Sequence, residues 1–150
     1  MASAPAVGIS GTYLTFHVAD EEYGIEILKV REIIGMLPIT PVPGSSSVMH
    51  GVVNLRGKVI PVLSMRRRFA MPVVEAHEHN VIIVVDAGDG QQIGLAVDRV
   101  REVAKFSEAD TEPPPTYGMA IDSGLVAALG KSQGRIRLLL NLEQVLQQVG

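Results

Sequence analysis

Tyr23-Gly24-Ile25-Glu26-Ile27-Leu28-Lys29-Val30-Arg31-Glu32-Ile33 returns 70 residues later as Ile93-Gly94-Leu95-Ala96-Val97-Asp98-Arg99-Val100-Arg101-Glu102-Val103. A second stretch, 47–69, returns 77 residues later as 124–146, without a gap. Two copies of one folding unit in 150 residues mean two similar lobes, about 12–72 and 80–150, with 1–11 as a flexible tail. The duplication is also an internal control. A residue kept in both copies serves the fold, whereas a residue present in one copy is a candidate for function.

Working outward from the repeat, Leu14, Phe16 and Val18 alternate with Tyr13, Thr15 and His17, the period of a half-buried strand. Tyr23, Ile25 and Ile27 alternate after an acidic turn, which makes a hairpin, and 30–34 supply a third strand after a short kink. Pro38, Pro41, Pro43 and Gly44 forbid regular structure, and Ser45-Ser46-Ser47 predict one helical turn through Met49 that Gly51 ends. Residues 52–55 and 58–65 flank Arg56-Gly57, a two-residue hairpin turn.

In the second copy, 81–85 are apolar without interruption, so this strand is central and covered on both faces. Gly88-Asp89-Gly90 is a hairpin turn, 100–106 form the next strand, and Pro113-Pro114-Pro115 break the chain where the first copy also has prolines. Asp122 predicts a cap for a short helix through Ala128. Ile136, Leu138, Leu140 and Leu142 alternate into the core. Leu142, Val145, Leu146 and Val149 then switch to helical spacing. About five short strands per copy are too few for a sandwich and close most easily into a small barrel. The expected fold is mainly β, two small barrels side by side with short helical turns.

Composition narrows the function. The net charge of −3 and an aromatic content of 4% speak against nucleic-acid binding, which wants a basic surface with stacking rings. There is no cysteine, hence no disulfide or thiolate site, which fits a reducing compartment. The first eleven residues lack the features of a signal peptide, and no apolar run approaches the roughly 20 residues of a membrane span.

No nucleophile elbow, Walker motif or dinucleotide fingerprint is present. His77 and His79 have no third ligand at recognisable spacing and read as a solvated linker, so no metal and no cofactor is expected. His17 reads as an outward strand residue. Arg66-Arg67-Arg68 is the one dense cationic run. Its counterpart is Glu143-Gln144-Val145, so the fold does not demand the charge and an acidic-partner patch is the candidate reading.

The internal control singles out one loop. Asn54-Leu55-Arg56 stands where the second copy has Lys131-Ser132-Gln133, and only Gly57 and Gly134 agree. Glycine is what the turn requires, whereas an arginine beside a leucine at a hairpin tip has the composition of an interface hot spot. Val30-Arg31-Glu32, repeated as Val100-Arg101-Glu102, points instead to a shared structural role such as strand register.

These stretches resemble the CheW family of chemotaxis coupling proteins. The carriers are Tyr13-Leu14-Thr15-Phe16, Asp20-Glu21-Glu22-Tyr23-Gly24-Ile25, Ile27-Leu28-Lys29-Val30-Arg31-Glu32-Ile33, and above all Gly51-Val52-Val53-Asn54-Leu55-Arg56-Gly57 followed by Val59-Ile60-Pro61-Val62. The resemblance covers about 12–149 and implies two SH3-like five-stranded barrels in one CheW-like domain. It implies no catalysis. It implies an adaptor coupling the cytoplasmic tips of transmembrane chemoreceptors to the regulatory domain of the histidine kinase CheA. Such a chain would be cytoplasmic and recruited to membrane-associated arrays without inserting into the membrane.

A sister coupling protein of a pilus-motility pathway would share fold and mechanism, and a small-barrel nucleic-acid-binding protein is the remote alternative. Positions matching the family's receptor contacts are Val30, Glu32, Gly51 and Arg56, with Asn54, Leu55 and Gly57 in the same turn. One departure is Ser64-Met65-Arg66, where the family usually has an acidic residue first.

Overall fold

The first hairpin leaves its own half of the chain to pair with the second. The computed structural model describes residues 10–74, 80–114 and 123–147. Strands β1 (Gly11–Val18) and β2 (Glu21–Glu26) are followed by a 3₁₀ turn (Ile27–Lys29), then β3 (Val30–Gly35), β4 (Met49–Leu55), β5 (Lys58–Ser64) and helix α1 (Met65–Arg68). Next come β6 (Val81–Gly88), β7 (Gln91–Val97), β8 (Arg99–Phe106), a 3₁₀ turn (Glu108–Asp110) and β9 (Thr111–Glu112). A last 3₁₀ turn (Ser123–Leu125) leads into β10 (Val126–Ser132), β11 (Arg135–Leu140) and α2 (Leu142–Leu146).

The strands make a six-stranded sheet in the order β8-β1-β2-β11-β10-β9 and a five-stranded sheet in the order β3-β6-β7-β5-β4. The chain starts in the first sheet, crosses at Ile27–Lys29 into the second for five strands, and crosses back at Asp98. Each sheet therefore draws strands from both sides of the 72–80 link. Two parallel ladders stitch the exchange: β5 on β7, and β11 on β2. Parallel neighbours cannot be joined by a tight hairpin, so each must come from elsewhere in the chain.

Both ladders run edge to edge, so closure of these SH3-like units is not made by continuous strand pairing. Beyond β4 the backbone of Thr40 exchanges two 2.9 Å hydrogen bonds with Val52.

One core lies between the sheets. Leu14, Phe16, Val18, Tyr23 and Ile25 meet Leu63, Ile83, Val85, Leu95 and Val97 there, with Met65 and Val145 from the two helices and Phe69 just after α1. Tyr23 stacks on Phe69 at 4.6 Å. A second core, Val53, Ile60, Val62, Ile82 and Val84, fills the five-stranded unit. Tyr13, Phe106 and Leu139 make a third in the six-stranded unit. Strands serving two cores must be covered on both faces, which explains the unbroken apolar run of β6, central as expected.

The same geometry corrects the sequence reading of β1. Tyr13 and Thr15 are buried, not outward, because the face opposite Leu14 and Phe16 lines its own small core. His17 is half-buried, with Nε2 closed off and unpartnered. Gly11 belongs to β1 rather than to a tail.

On β11 the alternation is also redrawn. Ile136 is 55% exposed, while Arg137 and Leu139 are fully buried inside the unit. Two tight turns at 43–44 and 47–48 replace the expected helical turn, with Met49 N–H donating to Ser46 O and β4 starting at once. The stretch read as a helix through Ala128 is strand from Val126 onward. The expectations for His77, His79, Pro115, Asp122 and Val149 fall outside the described residues.

Both helices are capped alike at repeat-equivalent positions. Ser64 Oγ accepts from Arg67 N–H and Asn141 Oδ1 from Gln144 N–H, each satisfying an orphan donor of the first turn.

Candidate functional site

Arg56 and Gly57 turn the β4–β5 hairpin with φ of +53° and +87°, the left-handed pair that a tight two-residue hairpin needs. Asn54 Oδ1 accepts from Gly57 N–H at 2.8 Å and clamps the turn. The repeat-equivalent Gln133 and Gly134 adopt +54° and +73°, so the backbone is common property and only the side chains differ.

From this tip the guanidinium of Arg56 reaches back to Glu32 on β3. Its Nη2 donates to Oε2 at 2.6 Å and to Oε1 at 3.0 Å. Since β3 and β4 are the two ends of the five-stranded ladder, this ion pair spans the unclosed seam. The Arg56 side chain remains 69% exposed and Glu32 33%. The hydrogen bond from Arg56, with its charge, holds the Glu32 carboxyl below the usual range. The pair is a preformed charged surface feature rather than a sequestered one.

The other candidate residues take different places. Leu55 is half-buried against the core of the five-stranded unit. Val30 is half-buried against the core between the sheets. Gly51 is buried, and a Cβ there would sit 2.3 Å from the Thr40 carbonyl oxygen and 2.7 Å from Ile39 Cγ2. It serves the approach of the 39–40 segment to β4 and presents no side chain. The structure thus unites Glu32, Asn54, Leu55, Arg56 and Gly57 in one corner, with Gly51 beneath as support.

The three consecutive arginines do not make one patch. Arg66 grips Asp98 with two hydrogen bonds, 3.0 and 2.6 Å, and also donates to Pro72 O. Arg68 donates to the carbonyls of Gln144 and Val145 at the end of α2. Arg67 is exposed and donates to Met49 O. A one-turn helix points successive side chains about 100° apart, so the run diverges. Sequence reasoning missed Asp98, which also accepts from Ala19 N–H at 2.7 Å and pins the return crossover to the first hairpin. Its signal was available, since its repeat partner is Leu28, a difference of the same kind as that at Arg56.

Val30-Arg31-Glu32 and Val100-Arg101-Glu102 do share a structural role. Each sits at a β-bulge against its neighbour, β6 for the first and β1 for the second. Each glutamate then receives an arginine from the adjoining hairpin, Arg56 for Glu32 and Arg135 for Glu102. Apolar exposure is duplicated as well. Ile33 and Val103 are 44% and 56% exposed, Val59 and Ile136 64% and 55%. An open groove of about 610 Å³ runs past Val59, Pro61, Ala87, Ile93 and Leu146. Among the described residues, no group of three carboxylates or imidazoles is placed to hold a metal, and no helix is long and apolar enough to cross a membrane.

A family model described as the CheW-like domain matches residues 12–150. The chain belongs to that family. It is 33% identical over 134 residues to the chemotaxis protein CheW of Klebsiella aerogenes, covering 89% of this chain and 80% of that one. CheW of Rhizobium meliloti is 33% identical over 132 residues, with 88% and 84% covered. The crystal structure of the scaffolding protein TtCheW from Thermoanaerobacter tengcongensis matches with a TM-score of 0.83 at 32% identity, over 93% of this chain and 94% of that one.

Proposed function

We propose that this CheW-like chain is a non-catalytic scaffold of chemotaxis signalling. In this reading it couples the cytoplasmic tips of transmembrane receptors to the regulatory domain of the histidine kinase CheA and is recruited to receptor arrays from the cytoplasm. Residues 12–150 act as one unit whose two similar lobes expose apolar residues at equivalent positions, Ile33 and Val59 in one and Val103 and Ile136 in the other. One lobe pairs with a kinase lobe of like fold, and the other with a second kinase molecule. Interfaces of this type bury about 1,600 Å² or less, so single contacts are modest and multivalency supplies the strength of an array.

Receptor recognition is assigned to the corner of Glu32, Asn54, Leu55, Arg56 and Gly57, with Gly51 beneath it and Val30 at the base of β3. The observation that carries this reading is the Arg56–Glu32 pair, exposed, oriented in advance and without a counterpart at the second copy's turn tip. Preorganised charge lowers the ordering cost of binding, and arginine is enriched in hot spots.

The test is a pair of titrations, wild type and Arg56→Ala, against receptor tip and kinase regulatory domain separately. Receptor affinity should fall about tenfold or more, with kinase affinity little changed. Equal losses on both partners would remove the site assignment.

A further inference from the structure

His17 and Asp86 hold the same place in the two copies. Phe16 and Val85 pair with the repeated residues Tyr23 and Ile93, and one step on His17 pairs with Glu22 and Asp86 with Gln92. The opposite neighbours agree as well, since Phe16 pairs with Val100 and Val85 with Val30. Both places feel the same two basic positions of the repeat, Lys29 and Arg31 beside Asp86, Arg99 and Arg101 beside His17. The five-stranded unit sets a carboxylate there: Asp86 binds Arg31 at 2.6 Å and accepts from Gly88 N–H at 2.9 Å. The six-stranded unit sets an imidazole there, which is neutral or positive and never negative.

The surroundings of His17 oppose a second proton on the ring. From β8 come Arg99 and Arg101, from β11 Arg135, and from β2 Glu22. Behind them Arg137 holds both Glu22 and Glu102, and Arg135 also pairs with Glu102. At the crossover, Asp98 donates its N–H to the His17 carbonyl, while its carboxylate is taken by Arg66 and by Ala19 N–H. Nε2 of His17 is closed off, with no hydrogen-bond partner among the described residues. A charged imidazole donates from both nitrogens, so a proton would make Nε2 a buried donor without an acceptor. Burial first, and then the charge of Arg99, hold the imidazole below the usual histidine range. Glu22 pulls the other way, and Arg101 and Arg135 add to the lowering.

We propose that His17 makes the six-stranded unit acid-sensitive: its ring is neutral in the folded chain, and a proton added there loosens the pairing of β1 with β2 and β8. The unfolded chain takes up that proton near the ordinary histidine value of about 6.5, before the folded chain does. Stability that rests on a neutral His17 is therefore present above this pH and is lost as the pH falls through it. The five-stranded unit lacks the device at the equivalent place. The Gly88 N–H first, and then Arg31, keep the Asp86 carboxyl below its ordinary range, so it stays charged over the same interval. His50 on β4 also has a closed-off, unpartnered nitrogen, Nδ1, and is lowered by burial and then by Arg67. A global acid response thus sums two histidines, and the decisive readout is local.

The experiment follows the whole chain by nuclear magnetic resonance from about pH 7.5 down to about pH 5, the interval in which histidine titrates. The ring protons of His17 should titrate at a lower midpoint than those of histidine in a short peptide of the same local sequence. Over the same descent the backbone amides of 13–17 and 99–103 should lose hydrogen-exchange protection severalfold, while those of 81–85 keep theirs. His17→Gln, uncharged at every pH, should abolish that local loss. A His17 midpoint at or above the peptide value, which an ion pair with Glu22 would produce, would overturn the proposal. So would an equal loss of protection in His17→Gln, or a loss shared evenly by 81–85.

Discussion

Ile60 and Arg137 occupy the same place in the two copies of the repeat, 77 residues apart, and both are buried. Around Ile60 the interior of the five-stranded unit is aliphatic: Val53, Val62, Ile82 and Val84. Around Arg137 the other interior is polar and aromatic. Its Nε donates to Glu22 at 3.2 Å, Nη1 to Ser132 Oγ at 3.0 Å and Nη2 to Glu102 at 2.8 Å, while the guanidinium lies 5.6 Å from the centre of the Phe106 ring. Tyr13 meets that ring edge-on at 5.9 Å. One backbone therefore tolerates two interior chemistries, provided that the polar one satisfies its hydrogen bonds. The difference teaches that the duplicated unit is specified by strand pairing and by the core between the sheets, with the inner cores free to diverge.

The harshest way to break this comparison is Arg137→Ala. It leaves the buried Glu22 with only the longer 3.6 Å contact to Arg135 and should cost about 3–5 kcal/mol, read as a fall in the midpoint of chemical denaturation. Arg137→Met combined with Glu22→Gln sharpens the point, because replacing both charges should recover most of that loss. If the double variant is no more stable than Arg137→Ala, the interior needs the ion pair for its shape.

Ile60→Ala should cost about 2–5 kcal/mol by cavity formation alone. Next comes Gly51, whose repeat partner Ala128 is a fully buried alanine. The 39–40 backbone lies against that position, so Gly51→Ala should cost about 1–3 kcal/mol. Thermal melts of Gly51→Ala beside Ala128→Gly would show whether crowding, rather than loss of glycine as such, is responsible.

The smallest effects belong to the two glutamates of the bulges. Glu32 and Glu102 both have lowered carboxyl pKa values, each owing first to a side-chain hydrogen bond, from Arg56 and Arg135 respectively. A carboxyl that binds its proton less readily when folded contributes its stability above the ordinary glutamate range. The contribution is lost as pH falls through the lowered folded value. Glu32→Gln and Glu102→Gln should each lower stability slightly in the neutral region and leave it unchanged at strongly acid pH, which flattens the acid limb of the stability–pH profile. Arg56→Ala should move the melting temperature little, because the pair is exposed. A large drop would mean that the pair holds the seam shut, and the receptor role proposed for it would then be inseparable from folding.

The glutamates also show how the two copies differ at the surface. Arg135 approaches Glu102 from within β11 and is 27% exposed in its side chain, whereas Arg56 approaches Glu32 from the turn tip and is 69% exposed. Moving the arginine by two positions along the hairpin converts a packed contact into a surface one.

Much of this was legible in the chain. The repeat announced two like units, the alternations placed most strands, and the mismatch at Arg56 marked the tip that the fold presents to solvent. These are local signals, since periodicity and turn chemistry act over a few residues. Four matters were decided only in three dimensions. The first hairpin sits in the other half's sheet, because parallel pairing partners lie far apart in sequence. Tyr13 and Thr15 are buried, because a strand may line two cores at once. Arg66 and Arg68 are spent on Asp98 and on the end of α2. An arginine rather than an isoleucine fills one interior, because its partners Glu22, Glu102 and Ser132 come from three different strands. Charge in a sequence is visible, but whether it meets solvent or an opposite charge depends on contacts that only the folded chain makes.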